Sequence, residues 1–347
     1  MDHIAVNSRP ARASLAGLHS GRGVVDPSVA RGAGYLLAAD VGGTRLRLLL
    51  ARADGTPAGW WNTHLPNDGK SPASVVHLMQ RGLRAMLDTV PAAPLLHVTA
   101  GAPGITDAEQ GTVLAAPNLP GWTAVPLAAL LENSFQVPAA VDNDTNLAAL
   151  GERAAGAARG VDDFVFIAMG TGVGAGIVLG GQVHRGRNGS AGEIGYLPVN
   201  GMRRQSLRGS ETGQLEQSIG GLGIEARWRS LLRDAGRDEH DPLYALRAPE
   251  VFDRAATGDE IAGEVLRWTA DLLGDAVIAL ALVLDPALVV LGGGVGSHPA
   301  LCAAASAVLR GSDYPLPAIV PSALGPAAQL HGAVAVSLAA MDAAHRC

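Results

Sequence analysis

The sequence predicts an α/β protein built as two halves on one plan. Three observations carry this reading. Apolar, strand-like runs alternate along the chain with stretches of helical periodicity. The order strand, glycine–threonine turn, strand occurs over Leu36–Ala51 and returns over Asp163–Leu179, so one structural unit is used twice. Between the two copies, Ala140–Glu152 (A-V-D-N-D-T-N-L-A-A-L-G-E) runs from an apolar strand into short polar residues and straight on into a helix. Such a segment delivers Asp142, Asn143 and Asp144 to the carboxyl end of a strand, where α/β proteins bind ligands.

The elements follow in order. Tyr35–Val41 is a buried strand, Gly42-Gly43-Thr44 a turn, and Arg45–Ala51 alternates before turning apolar, as the return strand of a hairpin does. Asp54-Gly55 makes the next turn and the segment around Trp60-Trp61 supplies a third strand. Val75–Val90 has helical spacing, Leu95–Ala100 is a strand running into the loop Gly101-Ala102-Pro103-Gly104, and Val125–Glu132 is a short helix after the loop P-N-L-P-G-W. In the second half Asp163–Met169 and Val173–Leu179 are strands around Gly170-Thr171-Gly172, with a hairpin turn at Gly180-Gly181. Asn200–Gly213 reads as an exposed loop. Helices over Gly223–Ala235, Pro249–Ala255 and Asp259–Leu284 lead to a strand at Ala287–Leu291, which closes on Gly292-Gly293-Gly294. A last strand, Ile319–Leu324, and a small-residue-rich helix, Ala327–Ala344, complete the chain.

Composition narrows the function. A chain of 347 residues has room for two domains, and 48% hydrophobic against 17% charged residues leaves ample core. A net charge of -6 argues against nucleic acid or an anionic membrane as the main partner. Two cysteines, Cys302 and Cys347, lack metal-ligand spacing and make no disulfide framework. No apolar stretch reaches the ~18 residues of a membrane span. Residues 1–34 mix Arg, Ser, Gly and Pro without a clear apolar period or a signal-type apolar core, and are expected to form a disordered leader. The expected location is the cytoplasm.

Each motif has a plain structural alternative. Asp144 can be a general base or simply a helix cap. Asp40-Val41-Gly42-Gly43-Thr44 sets a carboxylate before a turn whose backbone N–H groups and Thr hydroxyl can approach phosphate oxygens; alone, a two-glycine turn is more often an ordinary hairpin. Gly170-Thr171-Gly172 is a second turn of that kind, and a facing pair would make a phosphate clamp. Neither is a Walker loop, because no G-K-[ST] follows. Gly292-Gly293-Gly294 lets a flat group lie on the backbone, or merely enters a helix. Glu193 sits between glycines in G-E-I-G-Y, and Glu216 opens a helix, where the dipole alone favours it. No His/Cys cluster has zinc spacing, and no G-x-S-x-G occurs.

Taken together, D-V-G-G-T, P-N-L-P-G-W, D-N-D-T-N-L-A-A-L-G-E, M-G-T-G-V-G-A-G-I-V-L-G-G, A-G-E-I-G and L-V-V-L-G-G-G-V, in that order, resemble the ROK family of repressors and sugar kinases, and its bacterial glucokinases in particular. The likeness runs from Leu36 to the C-terminus. It implies an actin-like/hexokinase fold, two ribonuclease-H-like α/β domains with the active site in the cleft between them. The implied division is a small N-terminal domain over residues 35–145, a large C-terminal domain over 146–326, and a helix over 327–344 packing back on the first. It further implies ATP with Mg²⁺ as cofactors, and phosphoryl transfer to a hexose hydroxyl, usually O6.

By position, the resemblance makes Asp144 the catalytic base. Asn118, Asn143, Glu193, Tyr196 and Glu216 become sugar contacts. Asp40, Gly42, Gly43 and Thr44 form the first phosphate turn, with Asp40 placing Mg²⁺ through water; Gly170, Thr171 and Gly172 form the second; Gly293 and Gly294 lie on the adenosine side. Two departures stand out. Many members carry His where this chain has Tyr196, and a cysteine-rich zinc loop before the position of Glu216. Here that loop is M-R-R-Q-S-L-R-G-S-E-T-G-Q, with Gln214 in a cysteine position, so no zinc site is expected, and Tyr196 could offer its own hydroxyl to the anomeric end of the sugar. The acceptors left open are glucose first, then fructose, mannose, glucosamine or an N-acetylhexosamine, with polyphosphate as a further donor. The family's repressors carry a helix-turn-helix before the first phosphate turn; residues 1–34 lack the paired apolar helices of such a module. A homodimer is compatible with the resemblance.

Overall fold

The computed structural model describes residues 34–65, 70–116, 119–200, 202, 212–344 and 346. Two five-stranded sheets organise it. In the first half, β1 (Tyr35–Val41) and β2 (Arg45–Arg52) form the expected hairpin, and β3 (Pro57–His64) pairs antiparallel with β2. Helix α1 (Pro72–Leu87) starts at the cap Ser71, whose side chain accepts the Ser74 N–H, with Pro72 in the first turn, where proline's missing donor costs nothing. β4 (Leu95–Ala102) then lies parallel to β1.

The small antiparallel sheet that follows, β5 (Ile105–Asp107), β6 (Thr112–Ala115) and β7 (Thr123–Val125), is not anticipated from the sequence. Its strands of three or four residues are too short to display a period. Val125 closes this sheet, so helix α2 (Leu127–Phe135) begins later than the apolar spacing suggests. β8 (Ala139–Asn143) completes the first sheet in the order β3-β2-β1-β4-β8, and α3 (Asp144–Ala155) follows without a loop.

The second half repeats the plan. β9 (Phe164–Met169), β10 (Val173–Leu179), β11 (Gln182–Val183), β12 (Leu288–Gly292) and β13 (Ala318–Pro321) form a sheet in the order β11-β10-β9-β12-β13. Numbered within its own half, each sheet reads 3-2-1-4-5, with the first three strands antiparallel and the last two parallel. Helices α4 (Gln214–Ile219), α5 (Gly221–Asp234), α6 (Ala248–Ala256) and α7 (Glu260–Leu284) are inserted between β11 and β12. α8 (Gly293–Gly296) and α9 (Pro299–Leu309) lie between β12 and β13, and α10 (Ala328–Ala344) ends the chain. α9 has no counterpart in the sequence reading, because its Ala-rich face gives little periodic contrast.

Four clusters of apolar side chains hold these layers. One side of the first sheet packs on α1 and α2; the other packs on Leu147 of α3 and on Leu330, Ala333 and Val334 of α10. The second sheet rests on α5, α6, α7 and α9 on one side and on Ala148 and Ala149 of α3 on the other. Helix α3 therefore serves both sheets. It crosses α10 closely, since a Cβ on Gly151 would overlap the Ala328 carbonyl and one on Gly332 the Leu147 carbonyl. Glu152, wholly buried at the end of α3, accepts from the N–H groups of Ala157, Ala323 and Leu324 and from the Ser322 hydroxyl, fastening the approach to α10. Trp228 is core, donating Nε1–H to the Leu243 carbonyl at 2.8 Å. Trp268, by contrast, is half-buried beneath the Arg227 guanidinium.

Candidate active site

The site begins where β8 becomes α3. Asn143, not Asp144, caps the helix: its Oδ1 accepts the N–H groups of Thr145 and Asn146 at 2.8 and 3.1 Å. Its Nδ2 donates to the Gly104 carbonyl at 2.9 Å, leaving one amide hydrogen for a ligand. Freed from capping, Asp144 occupies the first turn, with Oδ1 accepting from the Thr145 N–H at 2.7 Å and hydroxyl at 3.1 Å. Its Oδ2 has no hydrogen-bond partner among the described residues. Burial pushes the Asp144 carboxyl up to about 6, helped by the nearby charges of Asp40 and Glu193, against the pull of the Thr145 donors. A carboxylate with one oxygen fixed, one open and a pKa near neutrality is suited to accept a proton.

Those same neighbours show what meets at Asp144. Asp40 comes from β1, and it is 4% exposed. Arg47, directly opposite Asp40 in the hairpin register, donates to Asp40 Oδ2 through Nε and Nη2, and to the Pro326 carbonyl through Nη1 at 2.8 Å. Burial raises the Asp40 pKa and Arg47 lowers it. On the other flank of Asp40 in the sheet is Gly101. A Cβ there would overlap Gln329 Nε2, so the glycine admits the Gln329 amide beside the Asp40 carboxylate.

Arg47 and Gln329 belong to the candidate site, and motif reading misses both. The first could have been found by writing out the hairpin register around Gly42-Gly43; the second depends on how α10 docks.

The two glycine–threonine turns flank this segment. In the first, Gly42 donates its N–H to the Arg45 carbonyl and Thr44 is exposed. In the second, Gly170 donates to the Gly172 carbonyl, Thr171 is exposed, and Gly221 at the start of α5 donates to the Gly170 carbonyl. β10 leaves this turn against α3, where Gly174 and Gly176 approach Thr145. Gly293 lies against the Met169 backbone at φ +82, with no room for a side chain, so the third glycine motif adjoins the second turn; Gly294 next to it is open.

Glu193, Tyr196 and Glu216 form the remaining wall. Glu193 leads into a short 3₁₀ turn, Ile194–Tyr196. Its carboxyl is held above the usual range by burial and by the Glu216 charge. Glu216 Oε2 accepts the Val173 N–H at 2.9 Å and closes over Gly172, so this residue touches the second turn as well as facing Glu193. Burial and both carboxylates raise the Tyr196 pKa. Its hydroxyl stays protonated and makes no hydrogen bond among the described residues, which leaves it able to donate. Gln214 uses Oε1 to accept the Val199 N–H at 3.0 Å, tying α4 to the segment that leaves Tyr196. Asn118 and residues 203–211 lie outside the described residues, as do residues 1–33 of the expected leader.

Among the described residues no group of three His, Cys, Asp or Glu could hold a metal ion. Magnesium asks less, since it keeps several waters and binds through one or two carboxylates and substrate phosphates. Asp40, buried at the strand end beside the first turn, has Oδ2 on Arg47 and offers Oδ1 as the hard oxygen such an ion requires. The donor set fits Mg²⁺ held through water.

Comparison with known proteins identifies the family and the fold. The ROK family model matches residues 36–340, and the chain belongs to the ROK family. A glucokinase from Halalkalibacterium halodurans is 32% identical over 276 residues, which cover 75% of this chain and 80% of that protein. The xylose repressor of Caldicellulosiruptor bescii is 29% identical over 201 residues, 57% of this chain and 50% of the repressor. A ROK family glucokinase from Streptomyces griseus, solved in complex with glucose and AMPPNP, matches with a TM-score of 0.74 at 26% identity, over 87% of this chain and 99% of that one. The fold is thus the two-part actin-like/hexokinase fold, and the family likeness is to sugar kinases.

Proposed function

We propose that this protein is an ATP-dependent hexose kinase, a glucokinase that transfers the γ-phosphoryl group of ATP to O6 of glucose. The observation that carries the proposal is Asp144: a carboxylate at the carboxyl end of β8, one oxygen fixed by Thr145, the other open, with its pKa pushed up to about 6. Asp144 Oδ2 takes the proton of the 6-hydroxyl as the O6–P bond forms and the bond from Pγ to the β,γ-bridging oxygen breaks. Asn143 offers its remaining amide hydrogen to a sugar hydroxyl. Glu193 and Glu216 accept hydrogen bonds from sugar hydroxyls and Tyr196 donates one to the anomeric end. The backbone N–H groups and hydroxyls of the Gly42–Thr44 and Gly170–Gly172 turns hold the phosphates, and Gly293 and Gly294 border the nucleotide. When bound beside Asp40, Mg²⁺ would supply charge neutralisation on the phosphate oxygens. Phosphoryl transfer rests on positioning and electrostatics, so a cleft that closes on sugar would exclude water and suppress ATP hydrolysis. The moving halves would be residues 35–145 and 146–326, with 327–344 packed on the first.

ADP production by the purified protein with Mg²⁺-ATP, measured over glucose, fructose, mannose, glucosamine and N-acetylhexosamines against a no-sugar blank, tests the proposal. Glucose-dependent ADP supports it, and turnover only with another hexose keeps the chemistry but changes the substrate. A folded protein that binds sugar and makes no sugar-dependent ADP refutes the ATP-dependent reading, and a further absence of sugar phosphate with polyphosphate refutes the kinase reading. The repressor relatives supply a second reading, a sugar-responsive DNA-binding protein, which a gel shift with and without sugar would test.

A further inference from the structure

Asp142 is the one member of the D-N-D triplet with no role in the proposed reaction, and it is the most deeply engaged. It lies on β8, the edge strand of the first sheet, and is 3% exposed. Its Oδ1 accepts the Asn143 N–H at 2.8 Å and the Asn146 Nδ2–H at 3.2 Å. Its Oδ2 accepts from Arg185, through Nε at 3.1 Å and through Nη2. Arg185 lies two residues beyond β11, the edge strand of the second sheet. The ion pair therefore joins the two sheets edge to edge, at the residue before the cap and two before the base.

We propose that Arg185 is a positioning residue for the Asn143–Asp144 segment, acting through Asp142. A carboxylate buried this far is costly without a cation and full hydrogen bonding. Arg185 supplies the cation with a planar fork that fixes direction as well as charge. With Arg185 in place, Asp142 can spend its other oxygen on the Asn143 backbone and the Asn146 side chain, which sets where the first turn of α3 begins and hence where Asp144 Oδ2 lies.

The loop that carries Arg185 has a second duty. The Ala191 N–H returns to the Arg185 carbonyl at 3.1 Å, Gly192 accepts the Ala175 N–H at 2.8 Å, and Gly189 sits against the Thr106 carbonyl of the small first-half sheet. This strap leaves the second sheet, rests on the first half, and ends at Glu193. A sugar held by Glu193 is thus mechanically linked, through one seven-residue loop (186–192) between them, to the clamp on the base segment. The link to catalysis rests on the kinase reading; the link between Arg185 and the Asn143–Asn146 backbone does not.

Two measurements on Arg185→Ala, Arg185→Lys, Asp142→Asn and the Arg185→Ala/Asp142→Asn pair separate these. Hydrogen exchange over residues 139–147 needs no activity. Exchange there should speed up at least tenfold in Arg185→Ala and be restored only in part by Arg185→Lys, which keeps the charge without the fork, while the protection of α7 stays unchanged. Unaltered exchange at 139–147 would overturn the proposal, and so would a loss of protection spread evenly over the chain. The kinetic readout is a split: kcat falls by roughly 10–10²-fold, the scale of an ångström-level misplacement, while KM for ATP, which this segment does not contact, stays within about threefold. The double variant should cost no more than the worse single, because both remove one interaction; additive losses would overturn the coupling. If the parent enzyme shows no sugar-dependent turnover yet exchange responds as expected, the kinase reading fails and the positioning role stands.

Discussion

Replacing Asp144 by Asn should damage activity and improve stability, with the two effects tied to a single pKa. The Thr145 N–H and hydroxyl can donate to the amide oxygen as they do to Oδ1, so the backbone has no reason to move. The open Oδ2 becomes an NH₂ that cannot take a proton, and loss of a general base costs ~10²–10⁴-fold in rate. In the wild type, kcat should fall as pH drops through about 6, where Asp144 takes up its proton. A carboxyl raised from 3.8 to about 6 in the folded state binds its proton more tightly there than when unfolded. It therefore weakens the fold once pH exceeds the unfolded value, and the penalty is complete above the folded one. From those values it approaches roughly 3 kcal/mol at pH 8 and about 1 kcal/mol at pH 4.5. Urea unfolding should show the Asn variant more stable than wild type by roughly 2–3 kcal/mol at pH 8, with most of the gain gone at pH 4.5. His97, whose pKa burial pushes down to about 4, also makes stability depend on pH. It does so in both proteins, and comparing them at each pH cancels it. Near-normal turnover would remove Asp144 from the chemistry. A stability gain that does not change with pH would mean that the carboxyl is not strained in the fold.

The remaining predictions concern the frame around that residue. Gly332→Val would drive a side chain into the Leu147 carbonyl at the α3–α10 crossing and should cost roughly 1–3 kcal/mol or more; an unchanged urea midpoint would show that the crossing can open freely. Glu152→Ala removes the buried carboxylate that the Ser322 hydroxyl and the Ala157, Ala323 and Leu324 N–H groups donate to and should lower stability by roughly 3 kcal/mol; a loss under about 1 kcal/mol, on the same scale, would mean water replaces the carboxylate. A zinc-selective chelator should leave sugar-dependent ADP production with added Mg²⁺ unchanged, because Gln214 and Tyr196 occupy the positions expected to ligate or face zinc; inactivation reversed by zinc alone would contradict that. Sugar should reduce the radius of gyration in small-angle scattering, and an unchanged curve would argue against cleft closure.

Much of this protein is legible in one dimension because its main signals are local. Both hairpins around Gly42-Gly43 and Gly170-Thr171-Gly172 fall where the apolar runs and glycines place them, and so does the strand-to-helix passage at Asn143–Asp144. The long helix α7 starts after Asp259, whose side chain caps it, and ends at Leu284 before Pro286; periodicity and capping suffice to find it. The repeated strand, glycine–threonine turn, strand unit is visible in the sequence, but the duplicated 3-2-1-4-5 order is set by strand pairing in the fold. Short strands such as β5–β7 carry no such signal, and helix α9 is apolar nearly all round, so neither announces itself.

What the chain alone determines is which residues end strands and open turns, and hence the set of groups that can reach a cleft: Asp40, Asn143, Asp144, Glu193, Tyr196 and Glu216. What the tertiary structure decides is how those groups are charged and aimed. Asn143 takes the cap and so frees Asp144; burial, helped by Asp40 and Glu193 from distant parts of the chain, raises the Asp144 pKa; Arg47 and Arg185 reach the carboxylates of Asp40 and Asp142 from other elements. Capping and turn formation depend on neighbours within four residues, and sequence records them directly. Charge, burial and ion pairing depend on groups brought together by packing, and only the folded chain sets their distances.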